Sequence, residues 1–195
     1  MGIEFRRAST ADIPHLIRIR MMAHGGMNEA LYENLDQSVK EIIERDLSNP
    51  MLTDYYRNYW VAHNHNEVVG GLHSFPCDDF ENDIHNPLVP EERYLIESPF
   101  LEIDAIGTYY INALTVFPEF TRQGIGSVLV KFAQRLAIER DFTELGLHVF
   151  AENSGAVSLY KKHGYREMGR RPLIPHPRMV FCGDILLMTC KLKAN

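Results

Sequence analysis

Apolar residues along this chain follow two different rhythms. From Ile125 to Ala137 they recur at helical spacing: Ile125, Val128, Leu129, Phe132, Ala133, Leu136 and Ala137 all fall on one apolar stripe. Ile13, Leu16, Ile17 and Met21 repeat the same spacing behind a cap at Ser9-Thr10. Pro14 sits in that first turn, where a missing N–H costs least, and Gly25-Gly26 stops the helix. Ser38-Val39-Lys40-Glu41 is a capping box ahead of Ile42, Ile43 and Leu47. A shorter helix is expected between Asn153-Ser154 and Gly164. Elsewhere β-branched and aromatic runs predict strands at Ile3–Arg7, Ile106–Phe117, Leu145–Phe150, around Tyr165–Arg170 and at Ile185–Leu192. Tyr59–His63 and Val68–Phe75 read as a hairpin across a polar turn. Residues 76–104 break the rhythm with Pro, Asp, Glu and Asn, and hold one short helix candidate, Pro90–Glu97. A connection this long is uncommon inside a compact domain and is often functional.

The chemistry concentrates where a strand runs into the long helix, Leu114-Thr115-Val116-Phe117-Pro118-Glu119-Phe120-Thr121-Arg122-Gln123-Gly124-Ile125-Gly126. Successive amides at such a helix start point into one concavity, and with the helix dipole they bind phosphate. Glycines there let a ligand approach the backbone. A dinucleotide fingerprint would need a third glycine where Leu129 stands, and a P-loop would need Gly-Lys-Ser/Thr; neither is present. A pyrophosphate cradle for coenzyme A remains, beside a plain structural helix start.

A second stretch follows at strand-helix distance: Leu147-His148-Val149-Phe150-Ala151-Glu152-Asn153-Ser154-Gly155-Ala156-Val157-Ser158-Leu159-Tyr160-Lys161-Lys162-His163-Gly164-Tyr165. Together the two stretches resemble the acetyl-CoA motif and the N-x-x-A-x-x-L-Y-x-x-x-G-F motif of the GNAT superfamily of N-acetyltransferases, in that family's order. The match is close over about residues 106–166 and looser over most of the chain. The resemblance implies an α/β fold, a mixed and mostly antiparallel twisted sheet flanked by helices, with acetyl-CoA in a cleft between the strands Ile106–Phe117 and Leu145–Phe150. It implies backbone contacts from Leu114, Thr115 and Val116 to the pantetheine arm. It implies a cradle at Thr121, Arg122, Gln123, Gly124, Ile125 and Gly126, with Ser127 in the same turn. Asn153 would bond the cofactor arm, and Tyr160 would be the catalytic acid on the leaving thiolate. A backbone N–H at Val116 and a phenol donor suit the two charges that develop when an amine attacks a thioester.

The implied reaction is direct acetyl transfer from acetyl-CoA to a primary amine of a small molecule. The alternatives are a protein or peptide N-acyltransferase using another acyl-CoA, or a non-catalytic CoA-binding sensor. Three positions depart from the family pattern: Thr121 replaces the usual Gln or Arg, Arg122 stands where glycine is usual, and Tyr165 replaces Phe. No general base is legible. Glu102, Asp104, Tyr110, Asn112 and His148 stand as substrate-contacting candidates, with a water chain as the implied route for the proton. Met21, Met22 and Met27 suggest either core packing or a pliable substrate-facing lid. No metal is expected, since His63 and His65 sit in a turn without a matching carboxylate or Cys cluster.

Composition narrows the classes. The chain has 195 residues, 45% apolar and 24% charged, which is ordinary for one globular domain, here residues 1–195. A net charge of −6 argues against nucleic acid as a partner. Three cysteines without a C-x-x-C pair, no apolar signal core and no run of membrane-spanning length lead to an expectation of a cytoplasmic protein without a membrane partner. A homodimer is compatible with such a domain. The charge is unevenly spread. Residues 76–104 hold nine acids against Arg93, and residues 121–195 hold twelve bases against six acids. This predicts a positive cofactor half, and an acidic insertion that draws a cationic amine acceptor.

Overall fold

The computed structural model describes residues 2–65, 67–82 and 89–193. The turn residue Asn66 and part of the acidic insertion, with Asp83, lie outside the described residues. In chain order the elements are β1 (Glu4–Arg7), α1 (Ile13–Ala23), α2 (Met27–Leu31), α3 (Val39–Leu47), β2 (Tyr59–Asn64), β3 (Glu67–Pro76), α4 (Ser98–Leu101), β4 (Tyr109–Val116), α5 (Ile125–Ile138), β5 (Glu144–Phe150), α6 (Ser154–Lys162), β6 (Arg166–Pro172) and β7 (Asp184–Lys191). The strands form one seven-stranded sheet in the order β1-β2-β3-β4-β5-β7-β6. All neighbours pair antiparallel except β4 and β5, which are parallel.

The apolar stripe of α5 covers one face of the sheet. Leu129, Phe132, Ala133 and Leu136 pack with Tyr109, Ile111, Leu145, Leu147 and Met188. Fully burying one such Leu or Phe stabilises the fold by about 1.5–3 kcal/mol. Val128 departs from the predicted stripe and is 39% exposed. The opposite face carries α1 and α3, through Leu16, Ile19, Ile43 and Leu47 against Tyr59, Val61 and Ala113. The Ser38/Glu41 capping box forms as expected at the start of α3.

Three sequence expectations shift. The strand predicted at Ile106–Phe117 begins only at Tyr109. Residues 105–108 turn first, with Thr108 N–H donating to Ala105 O and Gly107 at φ +78°. The helix predicted at Pro90–Glu97 is a 3-10 turn over Glu91–Glu97 that runs into α4. The third is α2, an unpredicted helix. Gly26, at φ +90°, ends the α1 turn and starts this new helix directly. A side chain at Gly26 would lie 2.0 Å from Arg178 O, so the glycine lets the β6–β7 connection close onto α1–α2.

Two irregularities open the site. β4 and β5 pair only over Tyr109–Ile111 and Leu145–Leu147, and beyond that they separate. On the β3 side the register slips opposite Asn112, between His73 and Ser74. Such a bulge reverses which residues face each side of a strand. It leaves Tyr110 on the α2 side of the sheet, and turns Leu114 and Val116 toward the α5 side.

Candidate functional site

A cavity of about 750 Å³ runs through the gap between β4 and β5. Leu114, Val116, Asn153, Ala156 and Tyr160 line it from the side of α5 and α6. Tyr110, Asn112, Asp104 and His148 line it from the other. The walls on that side come from α1, α2, residues 45–54 and residues 94–104.

The open edge of β4 follows from strand geometry. Phe117 N–H donates to Val69 O on β3. Strand amides alternate in direction, so the Val116 and Leu114 N–H groups point to the other edge, which is the gap. Thr115 lies behind them, buried, with Oγ1 donating to Ile19 O. The sequence grouped Leu114, Thr115 and Val116 for their backbones; the Thr115 side chain belongs to the α1 interface.

The cradle sits at the start of α5. Gly124 is the N-cap at φ +81°, and a Cβ there would meet no atom within 4 Å. The amides of Gln123, Gly124, Ile125 and Gly126 have no acceptor among the described residues. Free amides at a helix N-terminus form an anion-binding concavity, so the residues present fit a pyrophosphate. Arg122 takes φ +61°, the left-handed backbone that explains why glycine is usual there. Thr121 is exposed and spends its hydroxyl on Pro118 O. Ile125 turns its side chain into the core and offers only its amide. Gly126 also has a packing role, since a Cβ would lie 3.1 Å from Leu159 Cδ2 between α5 and α6. Ser127 begins the helical ladder by donating to Gly124 O.

Asn153 caps α6, its Oδ1 accepting from Ala156 N–H. This leaves its NH2 for a ligand. Tyr160 is 6% exposed, with its ring 5.4 Å from that of Tyr165. Tyr160 lines the cavity, and burial is the only influence on its hydroxyl among the described residues. Burial pushes this phenol above its ordinary range, so it stays protonated.

On the far side, Tyr110 and His148 form a defined pair. His148 Nε2 lies 3.0 Å from Ile103 O, an acceptor, so Nε2 carries the hydrogen. Nδ1 is then the bare nitrogen, and it accepts from Tyr110 Oη at 2.8 Å. Burial holds the imidazole below its usual pKa, hence neutral. Asn112 bonds His73 Nδ1 at 3.0 Å. Burial lowers His73 to about 4, and its Nε2 is tied to Thr53 O. Asp104 accepts from Cys77 Sγ. Glu102 is brought to none of these: it is exposed, 2.8 Å from Arg171, outside the cavity lining.

Sequence reasoning missed the polar floor beside α1. Arg20, 6% exposed, lies 2.8 Å from Asp54 and 3.4 Å from Asp46. Glu97 faces this pair from the segment before α4. Burial raises its carboxyl; Arg20 pulls it down and Asp54 pushes it up, for a balance of about 7. No spacing in the chain announces these contacts, because they join residues from four separate segments. Of the three methionines, Met22 and Met27 reach the cavity, while Met21 packs behind α1. Among the described residues no three His, Cys, Asp or Glu side chains converge as metal ligands, and no helix is long and apolar enough to cross a membrane.

Comparison with known proteins places these features. Residues 27–165 match the model of the acetyltransferase (GNAT) family. Human N-acetyltransferase 8 is 24% identical over 125 residues, covering 64% of this chain and 45% of that protein. The chain thus spans less than half the length of that relative. A solved structure described as an acetyltransferase superposes with a TM-score of 0.71 at 21% identity, covering 97% of this chain and all of that one. A GNAT family acetyltransferase from Elizabethkingia anophelis, solved with acetyl-CoA bound, gives 0.59 at 20% identity, over 97% and 98% of the two chains.

Proposed function

The chain belongs to the acetyltransferase (GNAT) family, and from that premise we propose that it moves an acetyl group from acetyl-CoA directly onto a primary amine of a small molecule. We read the whole chain as one such domain. One observation carries the proposal. A single cavity joins the open edge of β4 and Tyr160 to the Tyr110–His148 pair.

Each residue then has a task. The amides at Gln123–Gly126 hold the pyrophosphate, and Asn153 and the β4 edge align the arm that carries the thioester. The Val116 N–H, aimed into the gap, stabilises the oxygen that becomes negative as the amine adds. Tyr110 Oη takes the amine proton while its own passes to His148 Nδ1. The C–N bond forms, the C–S bond breaks, and the departing sulfur takes the Tyr160 proton. His148 then gives up its proton and Tyr160 regains one through solvent, so overall one proton moves from nitrogen to sulfur. Asp104 and Glu97 line the cavity and favour a cationic acceptor. The β6–β7 connection narrows the opening: Val180 N–H donates to Gly25 O, and Phe181 stacks 4.8 Å from Phe150. A narrowed cavity supports a small acceptor over a protein surface.

The test is thiol release from acetyl-CoA across a panel of primary amines, with mass analysis of the product. Acetylated amine at a rate that falls in Tyr160→Phe is expected. Coenzyme binding without acetylation of any amine would leave the sensor reading instead.

A further inference from the structure

We infer that Glu97 anchors a second positive charge on the acceptor, so that the cavity selects an amine whose far end carries another ammonium or guanidinium. This rests on the acetyl transfer proposed above.

Glu97 lines the cavity, yet no hydrogen bond or ion pair reaches its carboxylate among the described residues. The other acids nearby are engaged. Asp54 and Asp46 share Arg20, Asp46 also lies 3.3 Å from Arg45, and Asp104 accepts from Cys77. The groups facing Glu97 offer it no spare cation. Arg20 is committed to two carboxylates, and burial lowers both His24 and His73 to about 4, so they are neutral. Tyr32, beside Arg20, is likewise uncharged, its phenol pushed up to about 12 chiefly by burial. With Glu97 ionised, three carboxylates (Asp46, Asp54, Glu97) face two guanidiniums (Arg20, Arg45), an excess of one negative charge. A partly buried carboxylate without a counter-ion is unfavourable, and a cationic ligand removes the imbalance.

The placement suits one long acceptor. Glu97 sits on the wall formed by Tyr94, Phe100 and Leu101, and Tyr160 on the wall formed by α6, within one cavity of about 750 Å³. Apolar side chains of the same lining, such as Leu31, Phe100 and Ile111, suit a methylene chain, with the reacting amine at Tyr110 and Tyr160. Burial raises the Glu97 carboxyl to about 7, within reach of neutral pH, so an arriving cation that favours the ionised form expels the proton held there.

The experiment is titration calorimetry of the full chain loaded with coenzyme A, which cannot react. The probes are a series of α,ω-diamines and the n-alkylamines of equal chain length, at pH 7 in two buffers of different ionisation enthalpy. The wild type is expected to bind the best diamine at least about tenfold tighter than its monoamine, with net release of protons. In Glu97→Gln the affinity ratio falls to about one and the proton release disappears. Glu92→Gln, an exposed acid of the same segment, keeps the ratio. Equal affinities for diamine and monoamine in the wild type overturn the inference. So does an unchanged ratio in Glu97→Gln, or an equal loss in Glu92→Gln. The two readings fail separately. Monoamines acetylated without preference for diamines leave the transfer standing and remove the subsite. Tight diamine binding with proton release but no product removes the transfer and keeps the subsite.

Discussion

Replacing Tyr160 by Phe isolates one proton. The ring lies in the α5-side core cluster and contacts Tyr165 at 5.4 Å, and Phe preserves both. Its hydroxyl bonds no other described side chain, so its loss orphans no partner, and stability should move by less than about 0.5 kcal/mol. The chemistry should respond far more. A thiol of pKa near 8.5 leaves poorly without a proton, and a positioned acid is worth about 10²–10⁴ in rate. That corresponds to about 3–5 kcal/mol of barrier. The expected outcome is kcat down by at least a hundredfold, with acetyl-CoA affinity unchanged within about threefold. Thiol-release kinetics and a calorimetric titration on the same preparation read both numbers. Because burial holds the phenol protonated, the wild type should also show no alkaline loss of activity below about pH 10. Two results refute the reasoning: kcat retained within threefold, or a kcat loss matched by an equal loss of affinity. The second would make Tyr160 a binding residue.

Three further outcomes follow from named contacts. Tyr165 Oη is buried without a partner among the described residues, so Tyr165→Phe should stabilise by about 1 kcal/mol and raise Tm by roughly 3 °C; an unchanged or lower Tm in scanning calorimetry would contradict this. Arg122→Gly should relieve about 1 kcal/mol of left-handed strain, yet weaken acetyl-CoA binding and flatten its salt dependence, since a guanidinium beside the free amides is lost; salt-independent wild-type affinity would remove Arg122 from the cradle. With a monoamine acceptor, and with rates corrected for its unprotonated fraction, kcat/KM should fall on acidification only below the ordinary histidine value of about 6.5, because burial lowers His148 and the neutral form is the active one. His148→Gln should abolish that limb; an acidic limb centred above pH 7 would point to another base.

The part of the candidate site around β4 and the start of α5 was legible because it is local. A strand, a turn, two glycines and a helix lie within thirteen residues, and their chemistry needs backbone groups that any reader of the order can place. Tyr160 was singled out by the resemblance to the GNAT motif that Asn153 and Gly164 frame, and the structure places its side chain in the cavity lining. The acceptor half is assembled differently. Arg20, Asp54, Glu97 and Asp104 come from α1, two connections and the approach to β4, and only the folded sheet brings them to one cavity. Asn112 and Tyr110 were grouped by simple alternation, which could not show that the register slip opposite Asn112 turns the next even-numbered residues, Leu114 and Val116, to the α5 side. Glu102 looked equivalent to Asp104 two residues away, but the turn before β4 sends it outward to Arg171. Tyr165 looked like a mild exchange for Phe, and burial makes it a strained one.

The uneven charge of the sequence deserves the same correction. Nine acids between residues 76 and 104 suggested a broad negative field drawing the acceptor in. The structure disperses most of what it describes. Asp78 accepts from the Gly107 amide, Glu91 and Glu92 are exposed, and Glu102 pairs with Arg171. Exposed charges act weakly across a Debye length of about 8 Å at physiological salt. Of the described acids in this insertion only Asp104 and Glu97 line the cavity, and Asp104 is already bonded. On the inference drawn above, selection for a cation rests on one carboxylate, Glu97, in the same cavity as Tyr160. A diffuse field would reward any cationic amine alike. A single anchored carboxylate rewards the spacing between two charges, and a diamine series should show an optimum in chain length.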